Sequence, residues 1–94
     1  SQGGTDKGAE YRRILAASGR EDADVAYMGD DLLDLPVLVR AGLAGAPADA
    51  ADEVLARVHW VSSKRGGHGA VREFVELILR SRDQWDSIVS QHLI

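Results

Sequence analysis

The stretch "VAYMGDDLLDLP", Val25 to Pro36, runs four mostly apolar residues into Gly29 and then sets Asp30, Asp31 and Asp34 within five positions ahead of a proline. The apolar run is short, β-branched at Val25 and aromatic at Tyr27, which reads as a buried strand stopped by the glycine. The segment after it reads as a helix. Acidic residues at its start and Arg40 near its end suit the helix dipole, Pro36 is tolerated in a first turn, and Gly42 closes it. Three carboxylates this close repel one another, so something must offset that cost.

Working outward, "SQGGTDK" is a turn-like opening. Tyr11, Ile14, Leu15 and Ser18 then share one helical face, with Glu10, Arg12 and Arg13 off it and Gly19 ending the helix. On the other side, "LAGAP" reads as a short strand, "ADAADEVLARV" as a short helix, "HWVSS" as a strand and "KRGGHG" as a loop. A last helix begins near Gly69. Val71, Phe74, Val75 and Ile78 form its apolar face, Arg72, Glu73, Glu76 and Arg80 face water, and it either breaks near Ser81 or continues through Trp85. Strict alternation of helix and strand predicts a parallel sheet with helices on both faces, a Rossmann-like three-layer α/β/α arrangement. Ligands bind at the carboxyl edge of such sheets, which is where the three aspartates fall.

Length and composition narrow the function. Ninety-four residues are read as a single domain, 1–94. A net charge of −4 offers no basic face for nucleic acid, so an anionic substrate needs local positive charge from a metal or a specific Lys or Arg. The absence of cysteine excludes disulfides and thiolate metal sites. No apolar run approaches the ~20 residues that cross a bilayer, and "SQGGTDKGAE" has no apolar core of a signal peptide. The expectation is a cytoplasmic protein without nucleic-acid or membrane partners.

The acidic cluster has two readings. One is a Mg²⁺ site, since that ion takes oxygen ligands and needs only one or two carboxylates beside a substrate phosphate; Asp30 and Asp34 lie one helical turn apart. The other is an acidic helix start that caps free N–H groups. Lys7, after a small-residue turn and before a helix, is either a phosphate ligand at the same sheet edge or a solvated surface charge.

The blocks "QGGTDK", "VAYMGDDLLDLPVL", "GLAGAPADAADEV" and "GGHGAVREFVELIL" follow in an order and spacing that resembles the haloacid dehalogenase-like phosphatases. Within them the chain is most similar to the capless 3-deoxy-D-manno-octulosonate 8-phosphate phosphatase subfamily; the phosphatase-like module of some acylneuraminate cytidylyltransferases is a close relative. The resemblance extends to about Arg80. It implies that Lys7 binds phosphate, that Asp30 holds Mg²⁺, and that Asp31 and Asp34 support the metal and orient the site, so that catalytic roles fall to Lys7, Asp30 and Asp34 and metal roles to Asp30 and Asp31. His68 stands where the family usually has arginine and is carried over as a substrate-binding candidate. A phosphorylated sugar acid as substrate and a homotetramer are likewise implied.

The family also carries an Asp-x-Asp nucleophile and acid/base on the first strand of its sheet, and in this sequence no strand bearing that motif precedes Lys7; Asp22-Ala23-Asp24 has the spacing but follows the first helix. The resemblance therefore implies the C-terminal half of a phosphatase domain, lacking its N-terminal strands and inactive by itself. The alternative is a non-catalytic assembly module. His59, His68 and His92 lack metal-ligand spacing, Trp60 is expected in the core, and Lys64 and Arg65 are either anion-attracting or a solvated pair.

Overall fold

The computed structural model describes residues 6–82. Its elements follow the predicted order: α1 (Lys7–Ser18), β1 (Ala26–Met28), α2 (Leu35–Leu38), β2 (Leu43–Ala46), α3 (Asp52–Leu55), β3 (Trp60–Val61) and α4 (Ala70–Ser81). Asp6 caps α1 by accepting from the Ala9 N–H, and Gly19 ends it in the left-handed conformation (φ 71°).

The strands form one parallel sheet in the order β1–β2–β3, with Tyr27 opposite Ala44 and Gly45 opposite Trp60. Side chains alternate across a strand. Ala44 and Ala46 are fully buried on the face covered by Leu38 and Val54, while Gly45 turns to the opposite face, where a Cβ would lie 2.6 Å from the Phe74 ring of α4. Alanine and glycine at the sheet centre thus let helices approach from both sides, completing the α/β/α sandwich. The β2–β3 ladder gains a rung from a side chain: the Ala44 N–H donates to His59 Nδ1 (2.8 Å), so this ring carries its proton on Nε2.

Four expectations need correction. The helix predicted after Gly29 is a 3₁₀ turn at Leu32–Asp34 followed by one α-turn that ends at Leu38, well before Gly42, because Asp31 and Asp34 fold the backbone on themselves first. On α4 only Ala70 and Phe74 are buried; Val71 and Val75 are exposed, at 65% and 44%. Glu73 does not face water but bonds Ser62 and Ser63. Trp60 is half-buried, stacked on Phe74 at 5.4 Å. α4 ends at Ser81 with Arg82 as its C-cap, the nearer of the two ends read from the sequence, and the reading of "SQGGT" as a turn falls outside the described residues.

The face of α1 that carries Tyr11 is tied to the sheet by a small network. The Tyr11 hydroxyl donates to Asp22 Oδ1 at 2.6 Å, Arg40 donates to Asp22 Oδ2, and the Arg40 guanidinium sits 5.2 Å from the centre of the Tyr11 ring. The Tyr11 hydrogen bond, and then Arg40, hold the Asp22 carboxyl below the ordinary carboxylate range. A carboxyl lowered in the folded state contributes stability above its unfolded value, about 3.9, and loses it as pH falls through the folded value. Asp22→Asn is therefore expected to flatten the acid limb of a melting-temperature profile below about pH 4, relative to the parent. An unchanged acid limb would remove Asp22 from the account.

Candidate active site

Asp34 organises the site. It is 4% exposed, and both of its oxygens are engaged. Oδ1 accepts from Lys7 Nζ at 2.7 Å and from the Tyr27 hydroxyl at 3.2 Å. Oδ2 accepts from the main-chain N–H of Asp30 (3.0 Å) and Asp31 (3.2 Å). Burial by itself would raise the Asp34 carboxyl; Lys7 and the two amides outweigh it and hold the group below its ordinary value. Lys7 responds in the opposite direction: the hydrogen bond to Asp34 raises its pKa and keeps it cationic. Gly29 makes the arrangement possible, since a Cβ there would stand 2.6 Å from the Asp34 Cβ.

The cost of crowding three carboxylates is thus met without a cation for two of them. Asp34 has its four donors. Asp31 caps the 3₁₀ turn, its Oδ1 accepting from the Leu32 N–H at 2.6 Å, in a reciprocal capping box with Asp34. Asp30 differs. It is exposed, its main chain is fixed by the Ala51 N–H on its carbonyl and by Asp34 on its N–H, and among the described residues its carboxylate has no hydrogen-bond partner.

Lys7, Asp30 and Asp34 meet in one cavity of about 320 Å³ at the carboxyl edge, walled by Tyr27, Gly66 and Gly67. Asp31 and His68 are exposed and lie outside that lining, although Gly66 and Gly67, just before His68, belong to it. Tyr27 is the member that sequence reasoning missed. The only signal was its position two residues before Gly29, on the face that register shares with Ala44. A larger groove, about 970 Å³, runs between α1 and β1 and shares Lys7 and Tyr27 with the site. Among the described residues no three acidic or histidine side chains converge as a complete metal centre. Mg²⁺ asks less of one chain: a single free carboxylate beside a phosphate pocket fits it, the rest coming from substrate, water and other protein oxygens.

The family model for haloacid dehalogenase-like hydrolases matches residues 1–74. The chain belongs to the haloacid dehalogenase-like hydrolases. It is 45% identical over 83 residues to the 3-deoxy-D-manno-octulosonate 8-phosphate phosphatase of Yersinia pestis, covering 88% of this chain and 44% of that protein. It is 36% identical over 92 residues to the Escherichia coli K12 enzyme of the same name, covering 98% and 49%. The crystal structure of the Moraxella catarrhalis phosphatase, in complex with a magnesium ion, a phosphate ion and a KDO molecule, superposes with a TM-score of 0.90 at 33% identity, over 97% of this chain and 52% of that one. The haloacid dehalogenase-like chain described here therefore spans about half the length of the curated relatives it matches. No helix among its described residues is long and apolar enough to cross a membrane.

Proposed function

We propose that the chain is the C-terminal part of a Mg²⁺-dependent phosphomonoester hydrolase acting on a sugar-acid phosphate such as 3-deoxy-D-manno-octulosonate 8-phosphate, with the nucleophilic aspartate supplied by protein outside these 94 residues. The observation that carries this reading is the Lys7–Asp34 pair at 2.7 Å, set beside the uncommitted Asp30 in one cavity. An ammonium has three donors, and Asp34 takes one, so Lys7 keeps protons to give to phosphate oxygens. Its raised pKa keeps it charged across the working pH range. Asp30 is the carboxylate free to hold the metal, with Asp31 adding negative charge alongside. When bound, Mg²⁺ neutralises charge on the transferring phosphoryl group and aligns it. The resemblance to the capless subfamily also supports a cytoplasmic homotetramer.

In the protein with its nucleophile-bearing segment in place, phosphate release from the sugar phosphate is the direct assay. Lys7→Ala is expected to weaken vanadate binding about tenfold or more, since a charge-assisted hydrogen bond is lost. The melting temperature should fall as well, since the buried Asp34 loses its cation, while Tyr27 and two amides keep its carboxylate hydrogen-bonded; vanadate affinity is therefore read where the variant is folded. Equal vanadate affinity in variant and parent would remove Lys7 from the phosphate site.

A further inference from the structure

The loop between β3 and α4 is fastened at its start and at its middle by carboxylates that the proposed chemistry does not use. At its start Glu73, on the first turn of α4, accepts three hydrogen bonds: from the Ser62 hydroxyl (2.6 Å), the Ser63 N–H (2.8 Å) and the Ser63 hydroxyl (2.7 Å). Ser62 is itself 3% exposed and passes the constraint on, its Oγ accepting from the Lys64 N–H at 2.8 Å. At its middle Asp49, in the loop after β2, accepts from the Gly66 N–H at 2.8 Å and lies 3.8 Å from the Arg65 guanidinium. The Ala48 N–H donates to the Lys64 carbonyl between them. Both carboxyls are held below their ordinary range, Asp49 chiefly by the Gly66 amide and Glu73 chiefly by the Ser62 hydroxyl, so both stay ionised acceptors.

What these carboxylates hold is a wall of the cavity. Gly66 and Gly67 line it together with Lys7 and Asp30. Gly67 sits at φ +79° and Gly69 at φ +104°, a backbone open to glycine and costly for other residues, so at these two positions the loop has no side chain to lock it. One turn inside the loop, the His68 N–H donating to the Arg65 carbonyl at 3.0 Å, is its own; its side-chain anchors are Asp49 and Glu73. We infer that Asp49 and Glu73 are positioning residues that pin the 64–69 loop as the cavity wall against which the alcohol part of the phosphate ester lies. This deepens, and rests on, the phosphatase reading.

The test uses the protein with its nucleophile-bearing segment in place, as parent, Asp49→Ala and Glu73→Gln. Two substrates are compared: 3-deoxy-D-manno-octulosonate 8-phosphate, and p-nitrophenyl phosphate, which offers no sugar for the wall to meet. A lost hydrogen bond to a charged group corresponds to roughly a tenfold effect or more, so KM for the sugar phosphate should rise about tenfold in Asp49→Ala with kcat within about threefold. KM for p-nitrophenyl phosphate should move less than about twofold. Hydrogen exchange of the Gly66 amide should quicken about tenfold in Asp49→Ala, and that of the Ser63 and Lys64 amides in Glu73→Gln, while β1 amides keep their rates. Equal losses on both substrates, or unaltered exchange in the loop, would overturn the inference. A parent that hydrolyses neither ester sinks the phosphatase reading and with it the role of the wall, whereas an active parent with unchanged variants sinks the positioning role alone.

Discussion

In the longer protein proposed above, with its nucleophile-bearing segment in place, Asp30→Asn is expected to lower Mg²⁺-dependent phosphatase turnover by about 10²- to 10³-fold, the scale on which one preorganised electrostatic contact to a transition state operates. The substitution keeps size and shape and removes only charge. In the fold it disturbs nothing that holds the turn together: the Asp30 amide still donates to Asp34 and its carbonyl still accepts from Ala51. The side chain itself is exposed and has no hydrogen-bond partner among the described residues. Melting temperature should therefore change by no more than an exposed, uncommitted position allows. The same change at Asp34 would not separate fold from chemistry, because that carboxylate also anchors Lys7, Tyr27 and two amides. Turnover and Mg²⁺ titration on parent and Asp30→Asn decide the matter, and near-normal activity in the variant would refute the assignment.

That division of labour among three adjacent aspartates was only partly legible. The order of seven elements could be read because glycine and proline punctuate short apolar runs, and the alternation leaves little choice of topology. The carboxyl-edge position of Asp30 followed from that order. Which carboxylate turns inward did not follow. Spacing puts Asp30 and Asp34 a turn apart on a regular helix, but the chain makes a 3₁₀ turn, and the missing Cβ of Gly29 opens room for Asp34 alone. The capped-turn reading of the cluster therefore describes Asp31 and Asp34, and Asp30 is left free for the proposed cation. Glu73 was misread for a related reason. Helical periodicity reports one element's own face, and the serines that occupy Glu73 lie ten and eleven residues away on another. Periodicity also names a face as apolar without saying what covers it, and Val71 and Val75 remain exposed.

That last point leads to the behaviour of the 94 residues by themselves, which are expected to associate rather than run as a monodisperse monomer. β1 has one strand neighbour among the described residues. In a parallel ladder alternate residues bond the same neighbour, and Val25 and Gly29 bond β2, so the main-chain groups of Ala26 and Met28 turn the other way. An open strand edge of this kind templates pairing with another chain. Beside it runs the groove of about 970 Å³ between α1 and β1, with Ile14 at its wall 62% exposed on a helix whose apolar stripe should be covered. Exposed apolar surface continues at Leu32, Val39, Val71 and Val75. In the proposed intact domain the nucleophile strand lies along β1 and fills this groove, which removes both drives at once. Light scattering on the purified 94-residue chain, against the longer protein, separates the cases: oligomers or aggregates are expected for the first and one defined species for the second. A monodisperse 94-residue monomer that unfolds cooperatively would show that β1 needs no partner, and would overturn the account of why the phosphatase requires a further strand.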